Sequence, residues 1–191
     1  ALANSQYDEF SKRLAGSGLR LGLYTGDTPT DPDTALGFHN DAFGREPFDC
    51  EVLSRTEIQE DPPDILMTNY VMLELLMTRF EDKKLLPDRD SNLKFLVLDE
   101  IHTYSGQRGA DVACLVRRLK ERTGTTGSLR CIGTSATVQG GESQKEEDLI
   151  SEFAADIFGE SVSQKAVIKE SLLTLAFPDP IPLTEEISIT N

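Results

Sequence analysis

Phe95-Leu96-Val97-Leu98-Asp99-Glu100-Ile101-His102 is the stretch on which the reading of this chain turns. Four consecutive apolar residues have the length and continuity of a strand in a parallel sheet. The run stops on two adjacent carboxylates. A hydrophobic strand that delivers two acids to its end suits magnesium-assisted phosphoryl transfer. One carboxylate holds the metal, usually through water, and the next polarises the attacking water. Taken singly, the acids also fit a solvated strand-to-helix turn, and His102 also fits a structural or surface histidine. The tetrapeptide 99–102 is more specific than any of its members.

Outward from it, apolar period-2 and period-3.6 segments alternate. Residues 2–15 read as a helix stopped at Gly16, and 19–24 as a short strand ending in the turn Thr25-Gly26-Asp27-Thr28-Pro29. Residues 30–62, rich in Asp and Pro, read as a long loop or insertion with a short helix at 55–60. Ile65-Leu66-Met67 reads as a compact buried strand, and Asn69 as the N-cap of an amphipathic helix over 70–79. Residues 81–92 form a charged connector. Residues 109–122 form a helix with Val112, Leu115, Val116 and Leu119 on one face. Its Arg117, Arg118, Lys120 and Arg122 suit the negative end of the helix dipole and read as solvated surface. Residues 130–133 form another short strand, followed by Thr134-Ser135-Ala136-Thr137. Ser143 and Glu146 have capping-box spacing for a helix that runs through Phe158 and stops at Gly159. A short strand is expected at 166–168, and Pro178, Pro180 and Pro182 mark a linker.

This alternation predicts an α/β domain with a mainly parallel sheet. Such sheets bind ligands outside the carboxyl ends of their strands. Three expected strand ends carry polar clusters there: Thr68-Asn69, Asp99-Glu100 and Ser135-Thr137.

Composition narrows the possibilities. The 191 residues suffice for one ordinary domain, with 38% apolar and 27% charged residues. The net charge of −14 argues against binding nucleic acid or a membrane through a basic surface. Residues 1–60 hold 5 basic and 11 acidic side chains, 61–140 hold 11 of each, and 141–191 hold 3 and 11. The middle that carries the polar clusters is thus neutral. No apolar run approaches the roughly 20 residues needed to span a bilayer. Cys50, Cys114 and Cys131 form no CxxC pair, and the histidines are His39 and His102 alone. Reduced thiols in a cytoplasmic protein are expected, without a zinc site or disulfide framework.

Asp99-Glu100-Ile101-His102 resembles motif II of the DEAD/DEAH-box helicases of superfamily 2. Ser135-Ala136-Thr137, 33 residues past His102, resembles motif III. Thr68-Asn69-Tyr70 resembles motif Ib, Thr25-Gly26-Asp27 the TG turn between motifs Ia and Ib, and residues 1–6 the later part of motif Ia. Residues 64–73, 102–111 and 115–119 resemble the DNA helicase branch with a DUF1998-type region, which includes mitomycin-repair-type bacterial helicases and related RecQ-like enzymes. The resemblance covers about residues 1–160 and implies a RecA-like P-loop NTPase lobe. Residues 161–191 resemble the connection to a second RecA-like lobe.

The resemblance implies ATP and Mg2+ as cofactors. Asp99 would position the metal through water, and Glu100 would activate water. His102 would link the nucleotide site to the second lobe or to motif III, and Ser135 and Thr137 would couple hydrolysis to movement. Thr25, Gly26, Thr68 and Asn69 would hold the sugar-phosphate backbone. The structural alternatives are a helix cap for Thr68 and Asn69, a turn role for Gly26, and local turn formation for Ser135 and Thr137. Arg108 reads as a solvated surface residue, with nucleic acid or the partner lobe as its alternative.

No GxxxxGK[ST] occurs, and no second-lobe arginine finger. The expectation is a lobe cut inside motif Ia, lacking its P-loop strand, that neither hydrolyses ATP nor unwinds DNA alone. It should also self-associate, or cover its sheet with its tail. DNA is the expected partner of the whole protein, with RNA as the alternative. The competing readings are a nucleic-acid-stimulated ATPase of a repair or phage-defence complex, and a helicase-like interaction module without catalysis.

Overall fold

The computed structural model describes residues 2–86, 92–135 and 143–169, with the side chains of 2 and 143–146 excepted. In chain order come α1 (Leu2–Leu14), β1 (Leu21–Tyr24), α2 (Pro32–Phe43), β2 (Glu51–Val52), α3 (Arg55–Glu60), β3 (Ile65–Thr68) and α4 (Tyr70–Thr78). There follow β4 (Phe95–Leu98), a 3-10 turn at Ile101–Thr103, α5 (Gly106–Thr123), β5 (Arg130–Gly133), α6 (Ser143–Phe158) and a 3-10 turn at Gln164–Ala166. All strand pairs among the described residues are parallel, in the orders β2-β1-β3 and β4-β5. The α/β class with a parallel sheet and flanking helices therefore holds.

Two apolar clusters support this frame. Tyr24, Val52, Ile58, Met72, Leu76, Leu86 and Leu119 form one, and Val112, Val116, Ala154, Ile157 and Phe158 the other. Leu96 of β4 packs against both. The stripe Val112, Leu115, Val116 and Leu119 is buried along α5, as its 3.6-residue period requires.

Several expectations change. Residues 30–62 are not a loop. Asp31 caps α2 by accepting from the Thr34 N–H, Pro32 enters at its start, and Gly44 closes it in the left-handed conformation. β2 extends the sheet beyond β1, and Ser54 and Glu57 form a reciprocal capping box on α3. β3 is not fully buried, since Ile65 is 37% exposed. β4 is covered on one face only: Phe95 and Val97 are 52% and 56% exposed, while Leu96 and Leu98 are half-buried. The strand expected at 166–168 is a turn, because the Ala166 and Val167 N–H groups bond back to Ser163 and Gln164. Of the basic residues of α5, Arg117 and Arg118 are exposed as expected, Arg122 is half-buried, and Lys120 is not solvated at all. Buried Lys120 donates to the Phe158 carbonyl at 2.8 Å and pairs with Glu160 at 3.0 Å. Arg117 donates to the Asp156 carbonyl, Arg118 pairs with Glu74, and Arg122 donates to the Met77 carbonyl. They fasten α5 to α4 and α6. The capping contact proposed for Ser143 and Glu146 and the proline linker lie outside the described residues.

Candidate functional site

Parallel pairing puts the polar clusters at strand carboxyl ends. The register Leu98↔Gly133 sets Asp99 beside Thr134. Both Asp99 oxygens are engaged: Oδ1 accepts from the Thr134 hydroxyl, and Oδ2 accepts from Gln6 Nε2 of α1 at 2.5 Å. The Thr134 and Gln6 hydrogen bonds hold the Asp99 carboxyl below its ordinary value, so it stays ionised at neutral pH.

Glu100 adopts a left-handed backbone with φ +51°, unique among the described non-glycine residues. Such a conformation costs about 1–3 kcal/mol and persists where neighbours hold it. Here the Thr103 N–H and hydroxyl donate to the Glu100 carbonyl at 2.9 and 2.8 Å, and the Ile101 N–H donates to the Thr134 carbonyl at 2.9 Å. Ile101 in turn packs onto Gly133, where an added Cβ would meet Ile101 Cδ1 at 2.6 Å. The turn after β4 is thereby pinned to the end of β5. His102 Nδ1 lies 2.8 Å from Ser135 Oγ and 3.1 Å from Glu100 Oε2. Asp99, Glu100, His102 and Ser135 thus converge, while Thr137 lies outside the described residues.

A second group stands at the ends of β1 and β3, where Tyr24 pairs with Thr68. The Thr68 hydroxyl donates to the Tyr24 carbonyl at 2.7 Å. Asn69 Oδ1 accepts from the Met72 N–H at 2.8 Å and caps α4. Both are structural tasks: Asn69 caps α4, while Thr68 caps no helix and ties β3 to β1. The Thr25 N–H donates to Thr28 Oγ1 at 2.8 Å, and Gly26 is exposed at the tip of the turn. Arg108 is exposed and lies over the Tyr70 ring at 5.8 Å; Tyr70 meets Tyr104 edge-on at 6.4 Å. These rings connect the start of α4 with the segment just after the acidic turn.

Thr134 and Arg55 escape the motif reading, and Gln6, within the stretch likened to motif Ia, carries no sign there of its contact with Asp99. Thr134 directly precedes Ser135, and its position at a strand end is its only signal. Gln6 comes from α1 through tertiary packing. Arg55 donates to three carbonyls of the 25–28 turn; the Ser54-x-x-Glu57 pattern marks the helix that presents it.

Among the described residues no three His, Cys, Asp or Glu side chains could jointly hold a metal ion. A single ionised Asp99 at a strand end nevertheless fits Mg2+, which keeps several waters and takes one or two carboxylates together with substrate phosphates.

The profile of the DEAD/DEAH box helicase family matches residues 1–145, and the chain belongs to that family. Among its relatives, the Druantia protein DruE of Escherichia coli (strain UMEA 4076-1) is 43% identical over 101 residues, covering 49% of this chain and 6% of that protein. The Lhr helicase/uracil glycosylase of Escherichia coli (strain K12) is 30% identical over 122 residues, covering 63% and 6%. The crystal structure of the DUF1998 helicase MrfA bound to DNA superposes with a TM-score of 0.55 and 27% identity, covering 84% of this chain and 17% of that one. The DUF1998 branch expected from the sequence is thus represented. The chain spans about 6% of the length of the curated relatives it matches. These relationships make residues 1–145 a helicase-family domain.

Proposed function

We propose that this chain forms the larger part of the first RecA-like lobe of an ATP-dependent DNA helicase or translocase, with a second RecA-like lobe completing the nucleotide site. The observation that carries this reading is Asp99, ionised and held from two sides, adjoining Glu100 and the His102–Ser135 contact. Asp99 would hold Mg2+ through water. The metal, when bound with ATP, withdraws charge from the phosphates. Glu100 would orient a water and accept its proton. The His102–Ser135 contact would transmit the state of the acidic turn toward Thr137. Thr25, Gly26 and Asn69 would contact the sugar-phosphate backbone, as would the helix start beside Thr68, and such contacts specify strand path rather than base sequence.

The chain alone would be inactive. Phosphate stabilisation is nearly all the catalysis such sites provide, and the GxxxxGK[ST] loop and second lobe that supply it are not in these 191 residues. Its exposed apolar strand face would favour self-association.

The test is ATP hydrolysis by the native full-length gene product, with and without single-stranded DNA. Glu100→Gln should lower kcat at least about 100-fold. The isolated 191-residue chain should show no hydrolysis. An unimpaired Glu100→Gln enzyme would refute the assignment.

A further inference from the structure

The turn after β1 is held from behind by one side chain that no motif contains. Arg55 Nε donates to the Thr28 carbonyl at 2.7 Å, and Nη2 donates to the Thr25 and Gly26 carbonyls at 2.7 and 2.9 Å. The guanidinium lies over the Tyr24 ring at 5.3 Å, and the Arg55 N–H donates to the Pro29 carbonyl at 2.9 Å. The capping box of α3 fixes its origin. The chain contains no cis peptide among its described residues. Across a trans peptide the N–H points opposite to the C=O. With the Thr25 and Gly26 carbonyls turned in to Arg55, the Gly26 and Asp27 N–H groups are turned out. Neither finds an acceptor among the described residues.

Gly26 supplies an independent observation. Its φ lies outside the left-handed region, and a Cβ built on it meets nothing within 4 Å. Neither the turn nor the packing therefore calls for glycine, in contrast to Gly133. What a side chain would occupy is the open space before the outward N–H groups, where another molecule's backbone could approach closely.

We propose that Arg55 is the positioning residue of this turn, holding two consecutive peptides so that the Gly26 and Asp27 N–H groups form a donor pair for a nucleic-acid phosphate. Consecutive outward N–H groups make an anion-binding concavity. The inference rests on the reading of the turn as part of a nucleic-acid contact, and it adds the residue that sets the turn's geometry. A planar guanidinium with fixed donors suits three carbonyls at once, and an ammonium point charge does not.

Fluorescence anisotropy with a labelled oligo-dT, on the native full-length gene product, tests it. Arg55→Met should weaken binding about tenfold. Arg55→Lys, which keeps the charge, should lose nearly as much. Hydrolysis of ATP without DNA should be unchanged in both. Gly26→Ala should also weaken binding while leaving the thermal midpoint in place, and it decides the matter if Arg55→Met fails to fold. Wild-type affinity in Gly26→Ala, or full rescue by Arg55→Lys, would overturn the positioning role. A wild-type protein that does not bind the oligonucleotide would instead refute the nucleic-acid reading of the turn.

Discussion

Glu51 illustrates how much one side chain can organise. Its side chain is fully buried, accepts from Arg45 Nη1 and Nη2 at 2.8 and 3.1 Å and from the Phe48 N–H at 2.7 Å, and lies 3.3 Å from His39 Nε2. Burial pushes its carboxyl upward. The Arg45 guanidinium and the Phe48 N–H outweigh that, and the net position is below the ordinary value of 4.5. Arg45 also reaches Asp8 of α1 at 3.0 Å, so the cluster ties α1 and α2 to β2. The sign follows from a depressed carboxylate: its stabilisation is complete above the ordinary value and is lost as pH falls through the depressed one. Urea unfolding between pH 7 and pH 3 should show that acid loss in the wild type and a flatter profile in Glu51→Gln. At pH 7 the substitution should cost about 2 kcal/mol, because the half-buried Arg45 keeps Asp8 but loses its charge-assisted bonds to Glu51. None of this was legible in the sequence, where Glu51 sits in a stretch read as loop. Asp99, Glu100 and His102 were legible because four apolar residues frame them; Thr134 and Gln6 were not, because only folding brings them to Asp99.

At the scale of elements, α5 is the beam of the molecule. Its upper stripe, Val112 and Val116, enters the cluster with α6, while Leu119 enters the cluster with β1, α3 and α4. Leu119 is 1% exposed. Leu119→Ala should destabilise the chain by about 3 kcal/mol, read as a lower urea midpoint at unchanged slope. Helical period made α5 visible beforehand. The same reading mistook Lys120, because charge predicts solvent unless a neighbouring helix end offers a carbonyl, as α6 does here. α2 was missed for the opposite reason. Buried Ala35 and His39 are a thin apolar signal, and Asp31-Pro32 with Gly44 marked its ends only once read as caps.

For the whole molecule, the exposed apolar residues have a consequence. Phe95, Val97 and Ile132 are about half exposed on paired parallel strands. Apolar surface in a contiguous patch favours association. Light scattering on the isolated chain should show mass rising with concentration, and Val97→Thr should reduce it. A concentration-independent monomer would count against that reading. The net charge of −14 bears on the same preparation. It should bind DNA weakly at physiological salt, because few cations are available to displace counterions; a gel shift showing tight binding would overturn this.

The sequence by itself determined the α/β alternation, the strand that ends in two acids, and the polar clusters at strand ends. Each is a local property: a run of apolar side chains, a cap, or a turn residue expresses its preference within a few neighbours. Tertiary structure alone decided which groups meet. The Gln6 and Thr134 hold on Asp99, the left-handed Glu100, the Arg55 clamp behind Gly26 and the burial of Lys120 each join residues far apart in the chain. Their partners are set by strand register and helix packing, which no local pattern encodes.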